Sequence, residues 1–192
     1  RVDVPGTTND PLIYSLHLKA GTLLSDRFRR AVEMKRLVGH IAASGLTADD
    51  NFIILGDFNP SSTNATFNSL PSGLPQTYQL GADIAFPVAY STNPLAYFGT
   101  PMPVRLDPRH LNGSDATFGT PGTSGPTLDL ILVSPAIAGR PMQTEIYNSL
   151  LDVSNTAGIP KAGSPLAYGT SADASDHFAV VADLELDSDL PN

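Results

Sequence analysis

The sequence lacks cysteine altogether, which excludes a disulfide framework, a thiol nucleophile and a cysteine-ligated zinc. It lacks any apolar run approaching 18 residues, so no segment reads as a membrane-spanning helix. Positive charge is scarce: 11 Lys and Arg stand against 19 Asp and Glu, for a formal net charge of −8. A domain that grips nucleic acid by charge alone has the opposite balance. The four histidines show no His-Glu-x-x-His or comparable spacing, which argues against a zinc hydrolase. The chain starts at Arg1 rather than Met and shows no secretory leader, as expected of a mature or cut product.

What is present suits one domain, residues 1–192. Hydrophobic residues make up 41% of the chain, enough for a sizeable core. Residues 12–20 alternate apolar and polar from Tyr14 onward and read as a strand. Ser25 is placed to cap the helix that follows, with Asp26 in its first turn. Phe28, Ala31, Val32, the stem of Lys35, Val38, Ile41 and Ala42 share one face of that helix, and Gly45 ends it. Lys19, Arg27, Arg29, Arg30, Lys35 and Arg36 are six of the eleven basic residues. They read as a solvated outer face with pairs such as Arg29–Glu33 and Glu33–Arg36.

The run Phe52-Ile53-Ile54-Leu55 has the pattern of a strand buried on both faces, and Pro60 stops its continuation. Thr63 to Leu70 reads as a short helix. Pro71 to Thr127 is rich in Pro, Gly, Thr and Asn; so long a stretch implies the walls of a functional site, with short strands at Tyr97-Phe98 and Val104-Arg105-Leu106. Leu128 to Val133 is a second buried strand, Thr144 to Tyr147 a weaker one, Gly158 to Asp173 a loop, and Phe178 to Leu186 the closing strand. No internal repeat is visible. Strands separated by a helix and long loops predict α/β layering, with polar residues gathered at strand ends.

Four places break the apolar strand pattern: His17, the pair Asp57 and Asn59, Asp129, and the pair Asp176 and His177. Taken singly these read as a core histidine, an Asx turn and a cap. A carboxylate inside a strand such as Leu128-Asp129-Leu130-Ile131 needs a partner, and an imidazole is a good one. Gly56-Asp57-Phe58-Asn59 arises by chance in about one chain in a thousand of this length.

The order of Ser-Leu-His17-Leu-Lys, Gly-Asp57-Phe-Asn59, Leu-Asp129-Leu-Ile-Leu and Ser-Asp176-His177 resembles the endonuclease/exonuclease/phosphatase superfamily. That superfamily includes deoxyribonuclease I, abasic-site endonucleases, bacterial sphingomyelinases and inositol polyphosphate 5-phosphatases. The stretch from Gly158 to Lys161 is similar to its bacterial, often exported, members. The resemblance implies a four-layer αββα sandwich and a divalent-metal-dependent phosphoesterase. Such an enzyme hydrolyses phosphodiester bonds, in nucleic acid or a phospholipid head group, by in-line attack of water. By the same resemblance Asp57 positions the water, Asn59 holds a phosphate oxygen and His177 acts as base or transition-state donor. Asp129 orients His177, Asp176 binds Mg²⁺ or Mn²⁺ (Ca²⁺ being a further candidate), and His17 contacts the phosphate or assists the leaving group. A sparse Asp/Asn site suits Mg²⁺, which prefers one or two carboxylates plus substrate and water.

The family carries a segment ahead of the His17 strand with an Asn and a metal-binding Glu, and neither is found in the 16 residues before His17. The expectation is a domain incomplete at its N-terminus, with an exposed apolar sheet face completed by a missing segment or a second chain. The alternative is a catalytically silent interaction domain that keeps the fold. A local patch of Lys19 with Arg27 is a candidate guide for a phosphate backbone despite the acidic total. Arg105, Arg109 and His110 are candidates for a second phosphate contact, weighed against a solvated loop. Secretion or a periplasmic location follows from the polar loops and the exported relatives.

Overall fold

The computed structural model describes residues 1–75, 78 and 80–186; Gln76, Thr77 and Gln79, within the weakly patterned stretch, lie outside the described residues. The strand expected at residues 12–20 is β1 (Leu12–His17), and the buried run after it is β2 (Phe52–Asp57). They lie side by side in parallel, joined by the 20-residue helix α1 (Leu24–Ala43). A parallel neighbour requires such a crossover. Strand β6 (Asp129–Val133) runs antiparallel on the other side of β2, and the edge strand β5 (Val104–Arg105) completes the sheet in the order β1-β2-β6-β5.

The continuous apolar runs are explained by what covers each face. Phe52, Ile54, Leu130 and Leu132 pack against Met34 and Ile41 of α1. Ile53, Ile131 and Val133 pack the other way, against Val180, Ala182 and Leu184. Those last residues belong to β8 (Ala179–Leu184), which pairs antiparallel with β7 (Met142–Tyr147). The described layers are therefore helix, four-stranded sheet and two-stranded sheet. Among the described residues β1 is covered on one side only: Leu12, Tyr14 and Leu16 are half-buried toward α1, while Ile13, Ser15 and His17 are exposed.

Gly56 has φ of +130°, and a Cβ there would run into the carbonyl oxygen of Leu16. Glycine is what lets β1 and β2 close up at this row.

Several local expectations are corrected. Thr63 to Leu70 is not a helix: β3 (Ala65–Phe67) pairs with β4 (Val88–Tyr90), because Phe67 gains an edge-to-face contact with Phe28 at 5.3 Å that a solvated helix would forgo. Ser25 does not cap α1. The cap is Leu23, two residues earlier, and Asp26 reaches back to accept the Leu23 N–H at 3.2 Å. Ala42 is exposed, and Met34 takes the core position instead. Residues 94–97 form a 3₁₀ turn, with Asn93 accepting from the Leu95 N–H. Short helices α2 (Pro135–Ala138) and α3 (Thr170–Ala174) complete the elements, the latter inside the stretch read as loop.

Candidate active site

Register brings the polar strand ends together. His17 is paired with Asp57 across β1 and β2, and Asp57 with Asp129 across β2 and β6. Paired residues point to the same face, so three candidate side chains form one row spaced by the strand separation of about 4.8 Å. The His17 ring, largely exposed, lies with Nε2 3.5 Å from Asp57 Oδ2.

Asp57 is fixed from both sides. Its Oδ1 accepts the Asn59 backbone N–H at 2.7 Å, an Asx turn, and its Oδ2 accepts from Asn59 Nδ2 at 2.7 Å. Asn59 sits in the left-handed region at φ +44° and donates its second amide hydrogen to Leu18 O at 3.0 Å. Both amide hydrogens are thus engaged, so in this geometry Asn59 orients Asp57 and ties it to the chain after His17 rather than offering a donor to a phosphate oxygen.

His177 lies across the row. Its Nδ1 is 2.7 Å from Asp129 Oδ2. A carboxylate only accepts, so Nδ1 carries the proton and Nε2 is left for the cleft. The ring packs edge-on against Phe118 at 5.0 Å. Burial lowers its pKa, but the hydrogen bond and charge of Asp129, with the charges of Asp57 and Asp176, outweigh that and raise it above the ordinary histidine value. The pair therefore stabilises the fold fully below the unfolded histidine pKa, and that contribution is lost as pH rises through the raised one.

Thr117 and Phe118 are the site residues that sequence reasoning missed. Thr117 is wholly buried, and its hydroxyl accepts from the backbone N–H groups of Leu128 and Asp129 at 2.8 and 2.9 Å. Its own carbonyl accepts from Phe178 N–H at 2.8 Å. One threonine thus sets the distance between the strand carrying Asp129 and the chain carrying His177. The only sequence signal was an isolated aromatic among Gly119, Gly122 and Gly125. Replacing Thr117 with valine should cost about 1–3 kcal/mol through two unsatisfied donors. The check is a thermal melt in which Thr117→Ser, which keeps the hydroxyl, recovers the stability that Thr117→Val loses.

These residues surround a cleft of about 660 Å³ lined by His17, Gly21, Asp57, Asn59, Ser61, Phe118, Leu128, Asp176 and His177. Asp129 lies behind His177 rather than in the lining. Asp176 is exposed, and among the described residues its carboxylate accepts no hydrogen bond and joins no ion pair; its backbone carbonyl is anchored by Gly119 N–H at 2.9 Å. Among the described residues no three His, Cys, Asp or Glu side chains converge as a metal cage. The donor set fits a hard cation held by one or two carboxylates with water and substrate oxygens, and does not fit a zinc cage.

The second candidate cluster does not assemble. Arg109 is held by both oxygens of Asp107 at 2.7 and 2.9 Å. His110 is a buried core histidine, its Nε2 2.7 Å from Ala116 O and its ring edge-on to Phe178 at 4.6 Å. Burial pushes its pKa down, which keeps it neutral. The expected pairs of Glu33 also differ: Glu33 accepts the Lys19 backbone N–H at 3.0 Å, and Arg36 pairs with Asp83 at 2.9 Å. Lys19 is turned onto Asp26 at 3.4 Å.

The sequence profile of the endonuclease/exonuclease/phosphatase family fits residues 3–177. No curated protein and no solved structure matches.

Proposed function

The chain belongs to the endonuclease/exonuclease/phosphatase family, whose members are phosphoester hydrolases that in general use divalent metals, and from that premise we propose that it hydrolyses phosphodiesters with Mg²⁺ or Mn²⁺. The observation that carries this reading is the convergence of His17, Asp57, Asp176 and the Asp129-backed His177 on one cleft. A phosphodiester needs its oxygens neutralised, an in-line water and a protonated leaving group. Asp57, immobilised by Asn59, orients the water. His177, its proton held at Nδ1 by Asp129, presents Nε2 to donate to the phosphate or to take the proton of the water. His17, exposed at the rim, protonates the leaving oxygen. Asp176, which lines the same cleft as Asp57, would hold the divalent cation, which when bound supplies charge neutralisation on the phosphate oxygens. The exposed Ile13 and Ser15 of β1 are, in this reading, the seat of further strands of a four-layer sandwich.

The test is hydrolysis of bis(p-nitrophenyl) phosphate with Mg²⁺ or Mn²⁺, set against EDTA and against Asp176→Asn. The expected result is turnover lost in EDTA and at least tenfold weaker metal dependence in the variant. Mn²⁺ at 100 times its dissociation constant should also stabilise the wild type by about 2.7 kcal/mol, a rise in melting temperature that Asp176→Asn loses. Turnover indifferent to both controls would overturn the metal-dependent reading.

A further inference from the structure

Arg30 is wholly buried in α1, where the charge pattern of the helix predicted solvent. It has no carboxylate partner among the described residues. Its Nη1 donates to two backbone carbonyls, Lys19 O at 2.5 Å and Gly21 O at 2.9 Å, while Nε and Nη2 have none. A buried charge of this kind is costly, and a leucine would fill the position without that cost. What the arginine adds is reach to the segment just after His17. Its neighbours on the same helix face act on the same segment: Asp26 accepts the Leu23 N–H, and Glu33 accepts the Lys19 N–H. Asp26, Arg30 and Glu33 follow the i, i+4, i+7 spacing of one helix stripe. Gly21, at φ +109°, has no room for a Cβ against Asp26.

The guanidinium lies 5.2 Å from the centroid of the Tyr90 ring. The Tyr90 hydroxyl accepts the Ser61 N–H at 2.8 Å. Gly21 and Ser61 both line the cleft, one on the segment after His17 and the other on the segment after Asp57 and Asn59.

We propose that Arg30 and Tyr90 are a positioning pair that sets the spacing of the two cleft walls for phosphodiester hydrolysis, neither residue touching the substrate. The pair rests on the function proposed above and joins from behind the walls that the Asn59–Leu18 hydrogen bond joins in front. Misplacement of a reacting group by about 1 Å can cost up to about 100-fold in rate.

The test compares wild type with Arg30→Met, Tyr90→Leu, the double variant and a packing control, Ile41→Val, which loosens the far end of the same helix in a different buried cluster from Tyr90. Two readouts are taken: kcat and KM for bis(p-nitrophenyl) phosphate, and amide hydrogen exchange at Ser61 and Lys19 relative to Ile54. In Arg30→Met, kcat should fall about 10–100-fold with KM within about twofold, and exchange at Ser61, which Arg30 does not contact, should rise. Tyr90→Leu should raise exchange at Lys19 in return, since coupling between sites is reciprocal. The double variant should be no worse than the poorer single one, and Ile41→Val should lower only the melting temperature. An unmoved Ser61 amide in Arg30→Met, or the same kcat loss in Ile41→Val, overturns the pair. A wild type that turns over nothing removes the phosphoesterase reading alone, and the exchange data still decide whether the walls are coupled.

Discussion

Replacing His177 with alanine is expected to lower kcat by about 10²–10⁴-fold, the usual worth of a well-placed acid or base. The fold should survive, because the ring is partly exposed and loses only its Asp129 hydrogen bond and the edge contact with Phe118. A melt within a few degrees of wild type, alongside that loss, separates chemistry from unfolding. The companion variant is Asp129→Asn. Asp129 is the group that holds the His177 pKa up against the effect of burial, so removing its charge moves that pKa down. Whichever protonation state of His177 is the active one, its limb of the pH–rate profile must shift to lower pH in Asp129→Asn. If the imidazolium donates, activity falls at a lower pH than in wild type; if the neutral ring accepts, activity rises earlier. A limb that stays in place, or His177→Ala within threefold of wild type, would assign the chemistry to other groups.

The largest stability effect should come from Lys161→Met. The Lys161 ammonium lies 2.9 Å from both Glu145 Oε2 and Asp152 Oδ2, and donates to Ala157 O and Ile159 O at 2.8 and 3.1 Å. Both carboxylates are almost fully buried. Burial alone would lower the lysine pKa, but the hydrogen bonds of the two carboxylates raise it above its ordinary value, and the lysine in turn holds Asp152 below the usual carboxylate range. Methionine keeps the stem and leaves two buried negative charges facing each other. Breaking a buried ionic cluster costs about 3–5 kcal/mol, and the lower end applies because the Lys161 side chain is itself 18% exposed. In a chain of this size that is a drop in melting temperature of roughly 6–12 °C. A second check is pH. Protonating the carboxylates should recover part of the loss, so Lys161→Met should be penalised least in mild acid. An unchanged melting temperature would mean that the loop from Asp152 to Lys161 is held by its apolar contacts instead.

The sequence was most informative where burial acts on both faces of a strand. Phe52-Ile53-Ile54-Leu55 and Leu128 to Val133 were legible because helix and second sheet leave no room for polar side chains there. The same background made Asp57, Asp129 and His17 conspicuous. What was not legible depended on partners distant in the chain. Thr63 to Leu70 carries too few apolar residues to show whether Phe67 turns with a helical or a strand period, and Phe28 decides it. Thr117 looked like any loop threonine, since the two N–H groups it satisfies lie 11 and 12 residues on. Arg30 reads as solvated because a charge on a helix usually is; the carbonyls that draw it inward lie between β1 and α1, 11 and 9 residues before it. Asn59 showed the reverse lesson. The modest reading, an Asx turn, and the functional one, a partner of Asp57, are the same hydrogen bonds.

The row of His17, Asp57 and Asp129 has a consequence for how the molecule matures. Its members come from strands whose pairing spans 40 and 72 positions of the chain, and His177 joins from 48 residues further on. Such long-range pairings form late, because loop closure must precede any gain from them. Slipping any one strand by a single residue would turn its member of the row to the opposite side of the sheet. Activity is therefore a stricter gauge of correct assembly than helix content: in a refolding experiment α1 should regain its circular dichroism well before the first product molecule is made.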